Sequence, residues 1–195
     1  KKDIIKFVKI NDKISNFANS INLIVKKKNI LYGYNTDVYG ALDSVKNLNN
    51  KNITLFGFGG TGEAIYRTFK NVYKRANFTI ISSKTRINCD KKTKVKKKIE
   101  EKDLFSTDLF INCSPLGSDL KKKLLNKSPL NIIQLKKMKK NVKVFDIIYS
   151  PKITVLSKNC KKLKIKYING SKMNTIQAVK ALNILKKKVL NKNFF

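Results

Sequence analysis

The pattern of apolar and polar positions changes character near residue 52. Ahead of it, Ile5 and Val8, with Asp12 on the same side, and then Ile14, Phe17 and Ala18 recur at helical spacing, which predicts a helical stretch over 1–20. INLIV at 21–25 and ILYGY at 30–34 are short apolar runs with a polar turn between Lys26 and Asn29, the pattern of a hairpin. Asn35, Thr36 and Asp37 are N-cap residue types in front of a helix over about 38–48, and NLNNKN at 47–52 reads as a turn. After residue 52, short apolar runs alternate with helical periodicity. The pattern predicts strands at 53–56, 78–82, 108–112, 142–148 and 165–168, and helices at 61–73, 91–102, 154–162 and 172–190. Strands alternating with helices give an α/β fold: a Rossmann-like, doubly wound parallel sheet covered on both faces. There is no internal repeat.

Composition narrows the function classes. The chain has 195 residues, 42% of them hydrophobic, which is enough for a real core and excludes a wholly disordered basic tail. Lys and Arg number 44 against 12 Asp and Glu, a formal charge of +32. Arg accounts only for positions 67, 75 and 86. A surface built for phosphates and bases uses Arg, whose planar fork binds bidentately. Lys, Asn, Ile and Phe are instead the residues of A- and T-rich codons. The charge therefore reads as compositional bias on solvated faces, with salt-labile attraction to polyanions, no specific nucleic-acid partner and no membrane partner. No apolar run reaches the length of a membrane span, and KKDIIKFVKI is too interrupted by Lys for a signal peptide. The first residue is not Met, so the chain reads as a fragment or processed product. Cys89, Cys113 and Cys160 form no CxxC pair and His is absent, so neither a metal site nor a disulfide framework is expected; reduced thiols fit a cytoplasmic protein.

The strongest local signal is GFGGTG at 57–62, directly after a strand and at the start of a helix. Gly57 permits the tight turn, Gly59 lets backbone approach a pyrophosphate, Gly62 lets helix and strand pack closely, and the helix N-terminus offers N–H groups to phosphate. The bland alternative is a structural glycine turn. NAD sites place an acid at the end of the next strand; here that strand ends Ser82-Ser83-Lys84-Thr85-Arg86, with hydroxyls and cations, which favours NADP.

Further strings are Gly33-Tyr34-Asn35-Thr36-Asp37, NCSPLG at 112–117, DIIYSP at 146–151 with Thr154, and INGSKM at 168–173 with Gln177. In this order, together with the glycine turn and Ser83-Lys84-Thr85, they resemble the motifs of the shikimate dehydrogenase family over about 1–190. The resemblance implies an NADP-dependent oxidoreductase that reduces 3-dehydroshikimate to shikimate on the way to aromatic amino acids. It implies the end of a substrate domain at 1–40, a cofactor domain at 41–170, and a last helix at 171–195 packing back on the substrate domain. Its catalytic pair is a Lys, which falls at Lys1 with Lys2 the alternative, and Asp37. Asn22, Asp37, Tyr149 and Gln177 would meet substrate. Gly57, Gly59, Gly60, Thr61, Gly62, Ser83, Lys84, Thr85, Arg86, Asn112, Ser114, Ile147, Gly170 and Met173 would meet the cofactor. A monomer or homodimer is expected.

The sequence departs from the family pattern at Ser20-Ile21-Asn22-Leu23, which lacks a Thr hydroxyl, and at Ser83-Lys84, which stand for Asn-Arg. Other readings of the same residues are Asp37 as a plain N-cap, Gln177 as a solvent-facing polar residue and Tyr149 as a packing residue. Other functions are a quinate/shikimate paralogue, a non-catalytic dinucleotide-binding module or a basic nucleic-acid-binding domain.

Overall fold

The computed structural model describes residues 3–189. A 3-10 turn at Asp3–Phe7 leads to α1 (Lys13–Ala18), β1 (Leu23–Lys27), β2 (Ile30–Tyr34) and α2 (Thr36–Ser44). Then come β3 (Asn52–Phe56), α3 (Gly60–Val72), β4 (Asn77–Ile81), β5 (Lys94–Lys96), α4 (Glu101–Ser106) and β6 (Leu109–Asn112). The chain continues through α5 (Lys122–Leu125), α6 (Ile132–Lys136), β7 (Lys143–Asp146), α7 (Val155–Lys162), β8 (Lys166–Asn169) and α8 (Gly170–Val189). Two compact units result, one gathering the described residues up to 46, 63–72 and from 172 onward, the other residues 47–62 and 73–171.

In the first unit, β1 and β2 form an antiparallel hairpin with Leu23 opposite Tyr34. The expected helix over 1–20 is broken. Lys9 N–H donates to the Leu31 carbonyl at 2.8 Å and Gly33 N–H donates to the Lys9 carbonyl at 3.0 Å, so β2 captures this segment as an isolated parallel bridge. The helix restarts only at Asp12, which caps α1 by accepting from Ser15 N–H at 2.8 Å. Asn35 then ties the unit together. Its side-chain oxygen accepts from Val38 N–H, capping α2, while its amide donates to the Ser20 carbonyl and hydroxyl, both at 2.9 Å. The helix expected to run to 48 stops at Ser44, because Val45 is already extended. Ala18, Val38 and Ala64 form a small core with Ile14 and Tyr39 against it. At Gly40, α8 comes so close that a Cβ would run into the Met173 carbonyl, and only Gly fits.

The second unit is a six-stranded parallel sheet in the order β5, β4, β3, β6, β7, β8. Chain order thus runs outward from β3 in one direction and from β6 in the other, the doubly wound arrangement with its reversal between these two strands. The inner strands are near-continuous apolar runs, and every residue of β6 is buried, as expected where helices cover both faces. Phe110, Leu130, Leu135, Val144, Leu156 and Cys160 are essentially inaccessible and form the core over which Phe56, Ile99 and Tyr167 pack. Truncating a ring such as Phe110 to Ala costs about 3–5 kcal/mol in such a core.

The Lys-rich helix expected over 91–102 is not there. Residues 94–96 are the edge strand β5, and a helix begins only at Glu101, where Glu100 and Asp103 form a reciprocal capping box. The segment carries no apolar stripe to hold a helix, whereas β4 offers an unpaired edge. A short strand of alternating Lys is also one that resists pairing with another chain. The short helices α5 and α6 lie where no helix was expected. Among the described residues, no helix is long and apolar enough to cross a membrane.

Candidate functional site

Ligands of doubly wound sheets bind outside the strand C-termini where strand order reverses, here beyond Phe56 and Asn112. Gly57 N–H donates to the Ile81 carbonyl and Cys113 N–H to the Phe56 carbonyl, both at 2.8 Å, so the turn leaves the sheet in a fixed register. Gly57 has φ +95°, a conformation that costs a side-chain-bearing residue free energy, and a Cβ there would lie 2.8 Å from Ser114 N. A Cβ on Gly62 would lie 2.6 Å from the Gly57 carbonyl oxygen and 3.0 Å from Cys113 Cβ. These two glycines answer to packing. Gly59 and Gly60 do not: a Cβ on either would meet no atom within 4 Å. Their small size leaves room in front of the N-terminus of the 13-residue α3, where unpaired N–H groups favour an anion.

Two cavities flank this turn and share Gly59, Cys113, Ser114 and Pro115 as walls. One, of about 380 Å³, extends past Gly57 and Phe58 to Ser82, Ser83, Lys84 and Lys97. The other, of about 330 Å³, extends past Gly60 and Thr61 to Ser118, Asp119, Ile147 and Tyr149. Together the two cavities form a trough that meets at Gly59 and suits a dinucleotide, one half on each side. No carboxylate lines the cavity that would take the adenosine ribose, and Lys84 does. Thr85 and Arg86 lie beyond that wall and are exposed.

The floor of the trough is held by a buried carboxylate. Asp146, fully buried at the end of β7, accepts from Asn112 Nδ2 at 2.9 Å, Tyr167 OH at 3.0 Å, Thr154 Oγ1 at 3.1 Å and Ile148 N–H at 3.2 Å. Burial pushes its pKa above the usual carboxylate range, and the four donors only partly oppose this. Asn112 passes the order on: its Oδ1 accepts from Ser114 Oγ at 2.7 Å and Ser114 N–H at 3.1 Å, which fixes the NCSPLG turn. Thr154 caps α7 through Ser157 N–H. Asn112 and Gly170 therefore stand under the site. A Cβ on Gly170 would run into the Ile147 carbonyl, which is how β8 turns into α8 beside the wall residue Ile147. Burial also raises the Cys113 thiol, and raises Cys160 to about 12, so both stay protonated and inert.

In the first unit three of the four expected substrate residues converge. Asn22 Nδ2 donates to Asp37 Oδ1 at 2.8 Å and to Thr36 Oγ1 at 3.1 Å, and Asn22 Oδ1 accepts from Thr36 N–H at 2.8 Å. Thr36 Oγ1 donates to Gln177 Oε1 at 3.0 Å. The N-cap is Asn35, so the plain-cap reading of Asp37 fails, and half-buried Gln177 is no mere solvent-facing residue. Thr36, buried and joining Asn22 to Gln177, was not singled out from the sequence although it stands inside the Asn-Thr-Asp string. Met173 sits in this unit against Gly40. Tyr149 belongs to the second unit and is 56% exposed on the wall of its cavity. Lys1 and Lys2 lie outside the described residues. Asp146, Asp119 and Lys97 were also missed: Asp146 stands in the DIIYSP string, but nothing local marks Lys97 among so many lysines. No cluster of residues able to hold a metal ion occurs among the described residues.

A Clostridium botulinum shikimate dehydrogenase (NADP(+)) is 32% identical to the chain over 124 residues, 60% of this chain and 46% of that protein. The chain is similar to the shikimate dehydrogenases. It spans about half the length of the curated relatives it matches. No family model matches. Solved shikimate dehydrogenases share the fold. A Listeria monocytogenes shikimate 5-dehydrogenase in complex with shikimate and NAD superposes with TM-score 0.78 at 20% identity, covering 94% of this chain and 69% of that one. A shikimate dehydrogenase in complex with NADP+ gives TM-score 0.75 at 23% identity, covering 98% and 73%.

Proposed function

We propose that the chain binds NADP and carries the cofactor domain, with part of the substrate site, of an enzyme that interconverts 3-dehydroshikimate and shikimate. The observation that carries this is the trough itself: two cavities meeting at Gly59, with open space in front of a helix N-terminus and Lys84, not an acid, on the ribose side. The ordered motifs and the similarity to curated shikimate dehydrogenases support this substrate. In this reading 1–40 is the end of the substrate domain, 41–170 the cofactor domain and 171–195 a helix returning to the substrate domain.

When bound, NADPH supplies a hydride to a carbonyl carbon. The chain's residues do the rest. As the hydride arrives, negative charge develops on the ketone oxygen, and a Lys ammonium lowers the barrier by giving up a proton to it. In this reading Lys1, or Lys2, takes that role, with Asp37 as its carboxylate partner. Asp37 is itself held by Asn22 and stands in the first turn of α2, where a helix N-terminus stabilises negative charge. Asn22 and Gln177, joined through Thr36, bring together carboxamide donors and acceptors of the kind that bind hydroxyls of a small polyol acid.

Calorimetric titration with NADP and NAD at one salt concentration tests the cofactor assignment. The wild type is expected to bind NADP more tightly, and Lys84→Ala to weaken NADP about ten- to a hundredfold, the worth of one charge-assisted hydrogen bond, with NAD unchanged. Tighter binding of NAD than NADP overturns the assignment; shikimate-dependent formation of NADPH tests the reaction.

A further inference from the structure

Lys97 is a cation at the sheet edge that the glycine turn and the β4 loop do not account for. The pairing of β4 with β5 continues one residue beyond the strands, Ser82 N–H donating to the Lys96 carbonyl at 2.9 Å. This register carries Lys97 to the loop that follows β4, and Lys97 lines the same cavity as Ser83 and Lys84. Neighbouring Lys96 faces different company. Its ammonium lies 2.8 Å from Asp103 and 3.1 Å from Glu100, and Glu100 also binds Lys102 while Glu101 binds Lys137. The nearby acids are thus used on Lys96 and on the outer face of α4. Among the described residues, no carboxylate lies within ion-pair distance of Lys84 or Lys97, and none lines their cavity. Two ammonium groups on one cavity repel each other, and a ligand carrying a dianion at that point relieves the repulsion.

We infer that Lys97 is a second specificity-determining residue for the cofactor, acting with Lys84 to hold a phosphate on the adenosine ribose. This rests on the NADP reading above. It explains how a site with Ser83-Lys84 in place of Asn-Arg recovers charge: a second ammonium, delivered from the neighbouring strand, stands in for part of what a guanidinium fork would give.

The test is titration of the full chain with NADP and with NAD at fixed low salt, for the wild type and for Lys97→Met, Lys97→Arg and Lys98→Met. Lys98 is exposed and outside the cavity, so its variant reports the loss of one general charge. Lys97→Met is expected to weaken NADP about tenfold and leave NAD within about twofold, Lys97→Arg to retain NADP within about threefold, and Lys98→Met to change neither. Unchanged thermal melts exclude a folding defect, since the Lys97 side chain is exposed. Wild-type NADP affinity in Lys97→Met, with NADP still preferred over NAD, overturns this inference alone. Equal losses for NADP and NAD overturn it too, by showing general charge. Failure of the wild type to bind either nucleotide overturns the cofactor reading and this inference with it.

Discussion

Gly59→Ala separates a glycine kept for ligand from one kept for packing. The added Cβ meets no atom within 4 Å, and Gly59 is not at positive φ, so the folded chain accepts Ala without strain. Replacing Gly where the backbone permits it removes conformational freedom from the unfolded chain and stabilises by about 0.4–1 kcal/mol. For a chain of this size, that raises Tm by about 1–4 °C. The same methyl occupies the space in front of α3 where the pyrophosphate would lie. Losing even one charge-assisted hydrogen bond there costs about 1.5–3 kcal/mol, a ten- to hundredfold rise in the Kd for NADP. Gly62→Ala should behave oppositely. Its Cβ would lie 2.6 Å from a backbone oxygen that cannot rotate away, so helix or turn must shift, at about 1–3 kcal/mol and several degrees of Tm. Differential scanning calorimetry and calorimetric titration on the two variants decide the matter. A Gly59→Ala protein that binds NADP as the wild type does would refute the placement of the phosphates, and one that melts well below it would refute the account of the space.

Asp37→Asn should lower kcat for shikimate oxidation by about a hundredfold or more while the Kd for NADP stays within about twofold; retention of a tenth of the rate removes Asp37 from acid–base work. Asp146→Ala should leave the Asn112, Thr154 and Tyr167 donors buried and unpaired and destabilise the chain by about 3 kcal/mol or more, read by urea unfolding; a change under about 1 kcal/mol contradicts the network. Asp108 accepts from Asn52 N–H at 2.9 Å and from Lys139 at 2.8 Å. Burial pushes its carboxyl up, but those bonds and the nearby Lys51 outweigh burial and hold it below the usual range. A lowered native pKa contributes stability that is present above the unfolded value, about 3.9, and lost as pH falls through the native one. Asp108→Asn should therefore be less stable than the wild type at neutral pH, and the gap should close in melts taken progressively below about pH 4. A gap that persists in strong acid would show that charge is not the source.

The second unit was legible where neighbouring residues carry the signal. Ile53 to Phe56 followed by GFGGTG fixes strand, turn and helix within a dozen positions, and Thr154 marks the start of α7 by its cap chemistry. Legibility failed where a distant partner decides. Nothing within 1–20 announces that β2 will capture Lys9, and nothing within 91–102 shows that β4 has an open edge for Val95 and its lysines. The same division holds for the site. That Asp37, Asn22 and Gln177 fall in one unit was expected from ordered motifs. Asp146 and Thr36 stand in those strings too, but their roles as hubs lie in what they bind across the fold. Lys97 was hidden by composition: one lysine among so many is informative only once its place on a wall is known.

The shared anchor at Asp146 has a consequence for how such a site can change over generations. Substitutions at Asn112, in the turn it holds or at Thr154 meet at one buried carboxylate, so their effects will be strongly coupled, and few single replacements there will be neutral. The ribose side has no such hub. Ser83 and Lys84 follow β4 and Lys97 follows β5, and all three are exposed. Nucleotide preference can therefore drift by independent single steps while the reacting end stays fixed, and a laboratory search for altered preference would find its freedom at the sheet's edge rather than at its centre.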